Sequence, residues 1–333
     1  MNWGIIGLGH MAKNFANSIN ELESDKLLGI SSNSIFKLLK FSFRYSINHK
    51  YLFNNYQKIL ECKDIDSIYI GTLNNSHYDL ILKCIKAKKN ILCEKPFVLT
   101  VEQAEEVKSQ LKYSDIFFLE GVAYRSHPQT KHVIKLIKKN YIGKVTKIKS
   151  SFGFDSGKPK KKGRLLNKDL GGGSIFDLAC YPISMSNLIA NISNDKEVMP
   201  VISETAGKVH TTGVDLNGKA KLTYDNGIVS DIEVSIIESL ENNTVITGTD
   251  GVIKILNPWL PGKDSVIEIH KNKSVKKEYI NTDLSLFACQ INLFNFSVKE
   301  KNFKKNYPAM SINNSVDCIK TMVEWKKKIL NEV

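Results

Sequence analysis

The sequence predicts an α/β chain of two domains: an N-terminal doubly wound parallel sheet, then an α+β domain with a large, mostly antiparallel sheet. Three observations carry this. An apolar run too short for a helix, Trp3 to Ile6, leads into Gly7-x-Gly9-x-x-Ala12 and at once into an amphipathic segment, Met11 to Ile19. Short apolar runs then alternate with helical patterns as far as Leu119, the order that implies mostly parallel strands. From Lys144 the period becomes two, with hairpin signals such as Asp225-Asn226-Gly227 and Thr249-Asp250-Gly251.

With 333 residues the chain is long enough for about two cores. The boundary falls where the periodicity changes, giving a dinucleotide-binding domain over 1–122 and a substrate-binding domain over 123–333. Whether the last helix, 312–330, packs back on the first domain is left open. A hydrophobic content of 42% and a charged content of 24% are those of an ordinary globular protein. No run approaches the roughly 18 apolar residues of a membrane span, and the first strand begins at once, without a basic and apolar leader. The expectation is a cytoplasmic protein with no membrane partner.

The net charge of +13 raises nucleic-acid binding. Only Arg44, Arg125 and Arg164 are arginine, however, and base-edge readout favours arginine. The lysines are spread along the chain, so no nucleic-acid partner is expected. The densest run, Lys158 to Arg164, is a solvated loop or a contact for a phosphate or acidic substrate. Six cysteines without a Cys-x-x-Cys pair or a zinc spacing suit a reducing compartment, and no metal site is expected.

In the opening turn Gly7 permits the tight bend, Gly9 has no side chain to hold a pyrophosphate off the backbone, and Ala12 lets the helix pack closely. Gly7, Gly9, His10, Met11 and Ala12 are thus cofactor-binding candidates, with the helix N-terminus offering free N–H groups. A second strand, Lys26 to Ser32, ends in Ser31-Ser32-Asn33-Ser34, where a carboxylate would bond the ribose 2′-hydroxyl of NAD. None is present, so NADP is favoured over NAD. Ser32 and Asn33 then face the 2′ position, and Lys37 either supplies charge there or is an exposed helix lysine.

A helix around Asn55 to Cys62 precedes a strand, Ser67 to Gly71, which ends in Thr72-x-Asn74-x-x-His77. Strand ends carry the ligand groups of such a sheet, so Thr72, Asn74 and His77 are candidates for the crevice. His77 equally suits a structural hydrogen bond at a helix start. After a helix over His77 to Ala87, the strand Asn90 to Cys93 delivers Glu94-Lys95-Pro96-Phe97. Glu94 and Lys95 join the cofactor set, and Pro96 biases Lys95 to an extended conformation, aiming its amine from a strand end where it can bond or protonate a substrate oxygen. A helix, Val101 to Leu111, and a strand, Asp115 to Leu119, complete the alternation.

The second domain reads as a helix, His127 to Lys139, then strand patterns over 144–154, 206–224, 228–237, 244–247, 251–256 and 266–270. Between them Gly171-Gly172-Gly173 opens an apolar helix in which Asp177 and Tyr181, four apart, share a face. An acid and a phenol on an apolar face need partners, which favours a polar site. Helices over 283–298 and 312–330 close the chain, the last capped by Ser311.

Gly7-x-Gly9-x-x-Ala12, Glu94-Lys95-Pro96 and Gly171-Gly172-Gly173-x-x-x-Asp177-x-x-x-Tyr181 together resemble the Gfo/Idh/MocA oxidoreductase family. Thr72-x-Asn74-x-x-His77, Tyr124-Arg125-x-His127-Pro128 and Pro308-x-Met310-Ser311 also resemble it, so the match spans nearly the whole chain. A tyrosine where many members have histidine, with Gly163-Arg164-Leu165 before the glycines, looks like the branch of dihydrodiol dehydrogenases, NADP-dependent xylose dehydrogenases and glucose-fructose oxidoreductase. The resemblance implies a Rossmann domain and a C-terminal α/β domain whose open sheet often mediates dimerisation, hence a homodimer or homotetramer, with an active site between the domains. It implies an NAD(P)-dependent enzyme of carbohydrate metabolism acting on a sugar, polyol or vicinal diol. Lys95 and Tyr181 would flank the reacting oxygen, Tyr181 as general acid/base with its phenol pKa lowered by Lys95, and Asp177 would support them. Arg125, His127 and Arg164 fall on the substrate side. Asn33 stands where NADP-using relatives commonly have arginine, and Leu73 replaces a usual proline. A non-catalytic dinucleotide sensor or partner subunit is the alternative reading.

Overall fold

The computed structural model describes residues 1–157, 163–193, 198–300 and 307–331. Lys158 to Lys162, the body of the basic run, lie outside the described residues. The chain forms two compact units: Met1–Val98 with Glu102–Ser126 and Leu284–Val316, and Leu99–Val101 with His127–Asp283 and Asp317–Val333.

The first unit alternates strand and helix: β1 (Asn2–Ile6), α1 (His10–Ile19), β2 (Lys26–Ser31), α2 (Ile35–Tyr45), β3 (Leu52–Phe53), α3 (Tyr56–Glu61), β4 (Ser67–Ile70), α4 (His77–Lys86), β5 (Asn90–Cys93), α5 (Val101–Lys112) and β6 (Phe118–Glu120). Its sheet runs β3-β2-β1-β4-β5-β6 with every pair parallel. The order reverses at β1, which lies between β2 and β4, and such a switch point is where open α/β sheets bind ligands. Strands buried on both faces explain the continuous apolar runs Ile5-Ile6 and Ile68-Tyr69-Ile70.

The second unit begins with α6 (Pro128–Lys138) and continues through β7 (Val145–Gly153), α7 (Cys180–Ile192), β8 (Val201–Val209), β9 (Asp215–Thr223), β10 (Val229–Ser235), β11 (Thr244–Gly248), β12 (Val252–Ile255), β13 (Asp264–Lys271) and β14 (Ser274–Asn281). Its sheet has the order β14-β13-β12-β11-β7-β10-β9-β8, antiparallel except where β7 meets β10. Helix α7 is buried along almost its whole length, as a helix apolar on all sides must be. Two further helices, α8 (Leu286–Glu300) and α9 (Ile312–Asn331), close the chain.

Four sequence readings are corrected. The pattern over 206–224 is two strands, because His210 and Val214 close a turn (His210 N–H to Val214 O, 2.8 Å) around Gly213 at φ +76°. β14 was not expected, since its lysine-rich sequence is that of an exposed sheet edge rather than an alternating one. The single cut after residue 122 does not hold for residues 284–316: α8 brings Phe294 against Trp3 (ring centroids 4.8 Å apart) and Phe117 (5.0 Å), in the first unit's core. Residues 175–179 form a π turn ahead of α7, so α-helical spacing does not describe the step from Asp177 to Tyr181.

Candidate active site

In the first unit the expected cofactor residues come together along the carboxyl edge of the sheet. Gly7 N–H donates to Ser31 O (3.1 Å), and Gly71 N–H to Ile6 O (2.9 Å), which joins the ends of β1, β2 and β4. Gly7 has φ +90°, and a Cβ there would lie 2.6 Å from Thr72 Cγ2, so the bend itself demands glycine. Gly9 differs. A Cβ there would meet Gly71 O at an ordinary 3.8 Å, so among the described residues no contact crowds a side chain at this exposed position. Gly9 is also the N-cap of α1, with no side-chain cap and no acid in the first turn. An open, uncapped helix start fits a pyrophosphate. His10 is exposed, Met11 half-buried and Ala12 buried.

At the tip of β2, Ser32 is buried and its Oγ accepts from Ser34 N–H (3.2 Å), while Ser34 caps α2 by accepting from Lys37 N–H. Asn33 and Lys37 are exposed there.

The ends of β4 and β5 are braced together. His77, fully buried, sets Nδ1 2.8 Å from Pro96 O and Nε2 3.3 Å from Thr72 O. Burial lowers its pKa, against the two carbonyls that raise it, and the Lys95 charge adds to the lowering. A neutral ring has one N–H to give, and the shorter contact assigns it to Pro96. Glu94 is held by the Tyr69 hydroxyl (2.6 Å), and Tyr69 stacks on Phe15 (3.9 Å, 9°). Lys95, half-buried, follows with a cis peptide to Pro96. Phe97 N–H donates to Glu120 Oε1 (3.1 Å). Asn74 is buried and Thr72 Oγ1 accepts from the Ser76 hydroxyl (2.7 Å). Arg125 is buried in the first unit with its Nε donating to Pro308 O.

In the second unit the glycine triplet packs on the loop that carries Arg164. Gly172 N–H donates to Asn167 O (2.9 Å), and Gly173 N–H to Leu165 O (3.0 Å). Arg164 thereby meets Asp177 in a two-pronged pair, Nη1 to Oδ1 at 2.9 Å and Nη2 to Oδ2 at 3.2 Å. The π turn bearing Asp177 is anchored by buried Asp215, which accepts from Ser174 Oγ (2.8 Å) and Ile175 N–H (2.7 Å). Lys326 Nζ lies 3.7 Å from Asp215. Burial raises the Asp215 pKa and Lys326 opposes it; burial lowers that of Lys326 and Asp215 opposes it. Gly173, at φ +111°, leaves room for this carboxylate: a Cβ would lie 2.3 Å from Oδ1. Tyr181 opens α7 and packs edge-on against Phe152 (5.0 Å) and Trp259 (6.0 Å), with Trp259 held by a bond from its indole N–H to Ser151 O (2.8 Å). His127, fully buried, caps α6, its Nδ1 accepting from Gln129 N–H at 3.1 Å.

Sequence reasoning missed Tyr69, Glu120, Asp215, Trp259 and Lys326. Asp215 was hidden inside a presumed continuous strand. Trp259 sits in Asn257-Pro258-Trp259-Leu260-Pro261, which has no period to read. Among the described residues, no group of three or more His, Cys, Asp or Glu is placed to hold a metal ion, and no helix is long and apolar enough to cross a membrane.

A parallel sheet of this order with a glycine turn at its switch point defines a dinucleotide-binding protein. Residues 1–120 match an oxidoreductase family with an NAD-binding Rossmann fold, and residues 130–254 match the GFO/IDH/MocA C-terminal domain. The chain belongs to the Gfo/Idh/MocA oxidoreductase family. It is 28% identical over 262 residues to trans-1,2-dihydrobenzene-1,2-diol dehydrogenase of Xenopus tropicalis (78% of this chain, 76% of the relative). It is 22% identical over 274 residues to the Homo sapiens protein of that name (81% and 79%). In fold it is similar to a 3-ketoreductase from Actinomadura kijaniata in complex with NADP and TDP-benzene, with TM-score 0.85, 20% identity and coverage of 98% and 97%. It is similar also to aldose-aldose oxidoreductase from Caulobacter crescentus complexed with glycerol, with TM-score 0.87, 20% identity and coverage of 100% and 98%.

Proposed function

We propose that this oxidoreductase moves a hydride between NAD(P) and the hydroxyl- or carbonyl-bearing carbon of a sugar, polyol or vicinal diol. The observation that carries the reading is Gly9: a glycine that no contact among the described residues crowds, at an uncapped helix start beside the end of β4. When bound, the nicotinamide supplies or accepts the hydride. The chain's own part is to hold and move a proton. Gly7 to Ala12 hold the pyrophosphate, with Thr72, Asn74, His77 and Glu94 lining the same edge. Lys95 and Tyr181 act as acid/base pair at the substrate oxygen, Asp177 supports them, and Arg125, His127 and Arg164 serve the substrate side. The names of the dihydrodiol dehydrogenase and sugar-acting relatives support this substrate class.

NADP is the favoured cofactor, because the tip of β2 has no carboxylate and Lys37 is exposed one turn on. The NADP bound to the Actinomadura enzyme supports it. A thermal-shift comparison tests this: larger stabilisation by NADP than by NAD is expected, and the reverse would overturn it. The same reading makes the protein a cytoplasmic homodimer or homotetramer through the exposed face of its second sheet, checked by light scattering. The activity is tested by screening sugars and diols while following nicotinamide absorbance. Binding without any turnover would favour a sensor or partner subunit.

A further inference from the structure

We propose that Glu120 is a positioning residue for Lys95: from the end of β6 it fixes the Glu94–Phe97 turn and couples its own ionisation to the ammonium that the turn presents. This rests on the reading of Lys95 as part of the acid/base pair.

Cys93 and Glu120 are directly opposed in the β5–β6 register, so the chain leaves both strands at one level. Gly121 N–H donates to Cys93 O at 2.7 Å, and a Cβ on Gly121 would lie 3.1 Å from that oxygen, so the two strand ends are tightly joined. Glu120 is 1% exposed. Its Oε1 receives Phe97 N–H at 3.1 Å, two residues beyond Lys95. Its Oε2 is buried without a well-formed hydrogen bond, and so is the neighbouring Ser315 hydroxyl. An acid sealed here with one oxygen short of a well-formed hydrogen bond is costly as a structural device.

The groups that act on it are known from each neighbouring element. Burial pushes the acid up to about 7, and the Glu94 carboxylate pushes the same way. The Ser315 hydroxyl from α9, the Phe97 N–H and the Lys95 charge oppose them. From β5 comes the thiol of Cys93, held neutral by its own burial. From α8 comes the uncharged Gln290, whose side-chain amide donates to the Glu120 backbone carbonyl at 3.5 Å. Below neutral pH Glu120 is an uncharged acid with a weak hold on Phe97. Above it, the carboxylate grips the amide harder and draws the Lys95 ammonium toward the β6 side.

The test is the pH profile of kcat and KM for wild type, Glu120→Gln and Glu120→Asp. Wild-type kcat is expected to rise through about pH 7. Glu120→Gln, fixed in the neutral form, loses that limb and sits about tenfold below the wild-type plateau, with both KM values unchanged. Glu120→Asp keeps a limb. A Glu120→Gln enzyme with the wild-type limb and kcat would overturn the proposal. Should Glu120→Gln not fold, carbon NMR of the glutamate carboxyls decides. Lys95→Met raises the Glu120 titration if the two are coupled, and an unmoved titration would overturn the coupling. Inactive Lys95→Met with an ordinary Glu120→Gln sinks this inference alone. Fully active Lys95→Met removes the reading of Lys95, and the inference with it.

Discussion

The Nδ1 of His77 lies 2.8 Å from the carbonyl oxygen of Pro96, which ties the head of α4 to the turn presenting Lys95. The ring is fully buried and its pKa is lowered, so it stays neutral. Such a group stabilises the fold above its unfolded pKa of roughly 6.5 and loses that contribution as pH falls through the lower folded value. His77→Ala opens a cavity and strands a carbonyl, at a cost of about 2–4 kcal/mol. Urea melts from pH 7 down to 5 should show wild type losing stability that His77→Ala never had. Parallel curves would contradict this.

Two glycines two residues apart should behave differently. Gly7→Ala strains a backbone at φ +90° and drives a methyl into Thr72; a loss of about 2 kcal/mol or more in stability is expected. Gly9→Ala meets only an ordinary contact, so its melting temperature should stay near wild type while dinucleotide Kd rises about tenfold or more. Calorimetric titration and thermal melts separate the two effects, and a Gly9→Ala protein that binds normally would contradict the cradle.

Arg164 and Asp177 form the two-pronged pair of the second unit, with Arg164 about one-third exposed and Asp177 nearly buried. Solvent screens such a pair, so its stability worth is about 1 kcal/mol. Its use lies in orientation. Arg164→Lys keeps the charge but loses the fork, so kcat should fall severalfold or more with little change in melting temperature. Unchanged kinetics would show that Asp177 needs no orienting.

Glu120 also predicts a stability slope of opposite sign to that of His77. A carboxyl raised from 4.5 to about 7 stabilises the fold fully below its unfolded pKa and loses that contribution as pH rises through 7. The span amounts to roughly 3 kcal/mol. Chemical denaturation at pH 5 and pH 8 should show Glu120→Gln losing less stability over this range than wild type does.

Elements with a clean period were legible. The strand at Trp3 to Ile6, the αβ alternation and the hairpin at Asp225-Asn226-Gly227 follow from local chemistry. Elements defined by tertiary contact were not. β14 is a charged edge strand, α8 returns to the first unit through Phe294, and the π turn depends on Asp215 reaching Ser174 and Ile175 from a distant strand. The strand-end polar residues Thr72, Asn74, His77, Glu94 and Lys95 are candidates from sequence because a parallel sheet collects its strand ends along one edge. Glu120 and Asp215 gave no signal, since a buried acid announces itself only through the groups around it.

The most direct test is turnover of a sugar and diol panel, followed by nicotinamide absorbance, for wild type, Lys95→Ala and Tyr181→Phe. Wild type should turn over at least one substrate, and each variant should lose about two to four orders of magnitude in kcat while still binding the dinucleotide. Absence of turnover with every sugar and diol, or variants as active as wild type, would contradict the account.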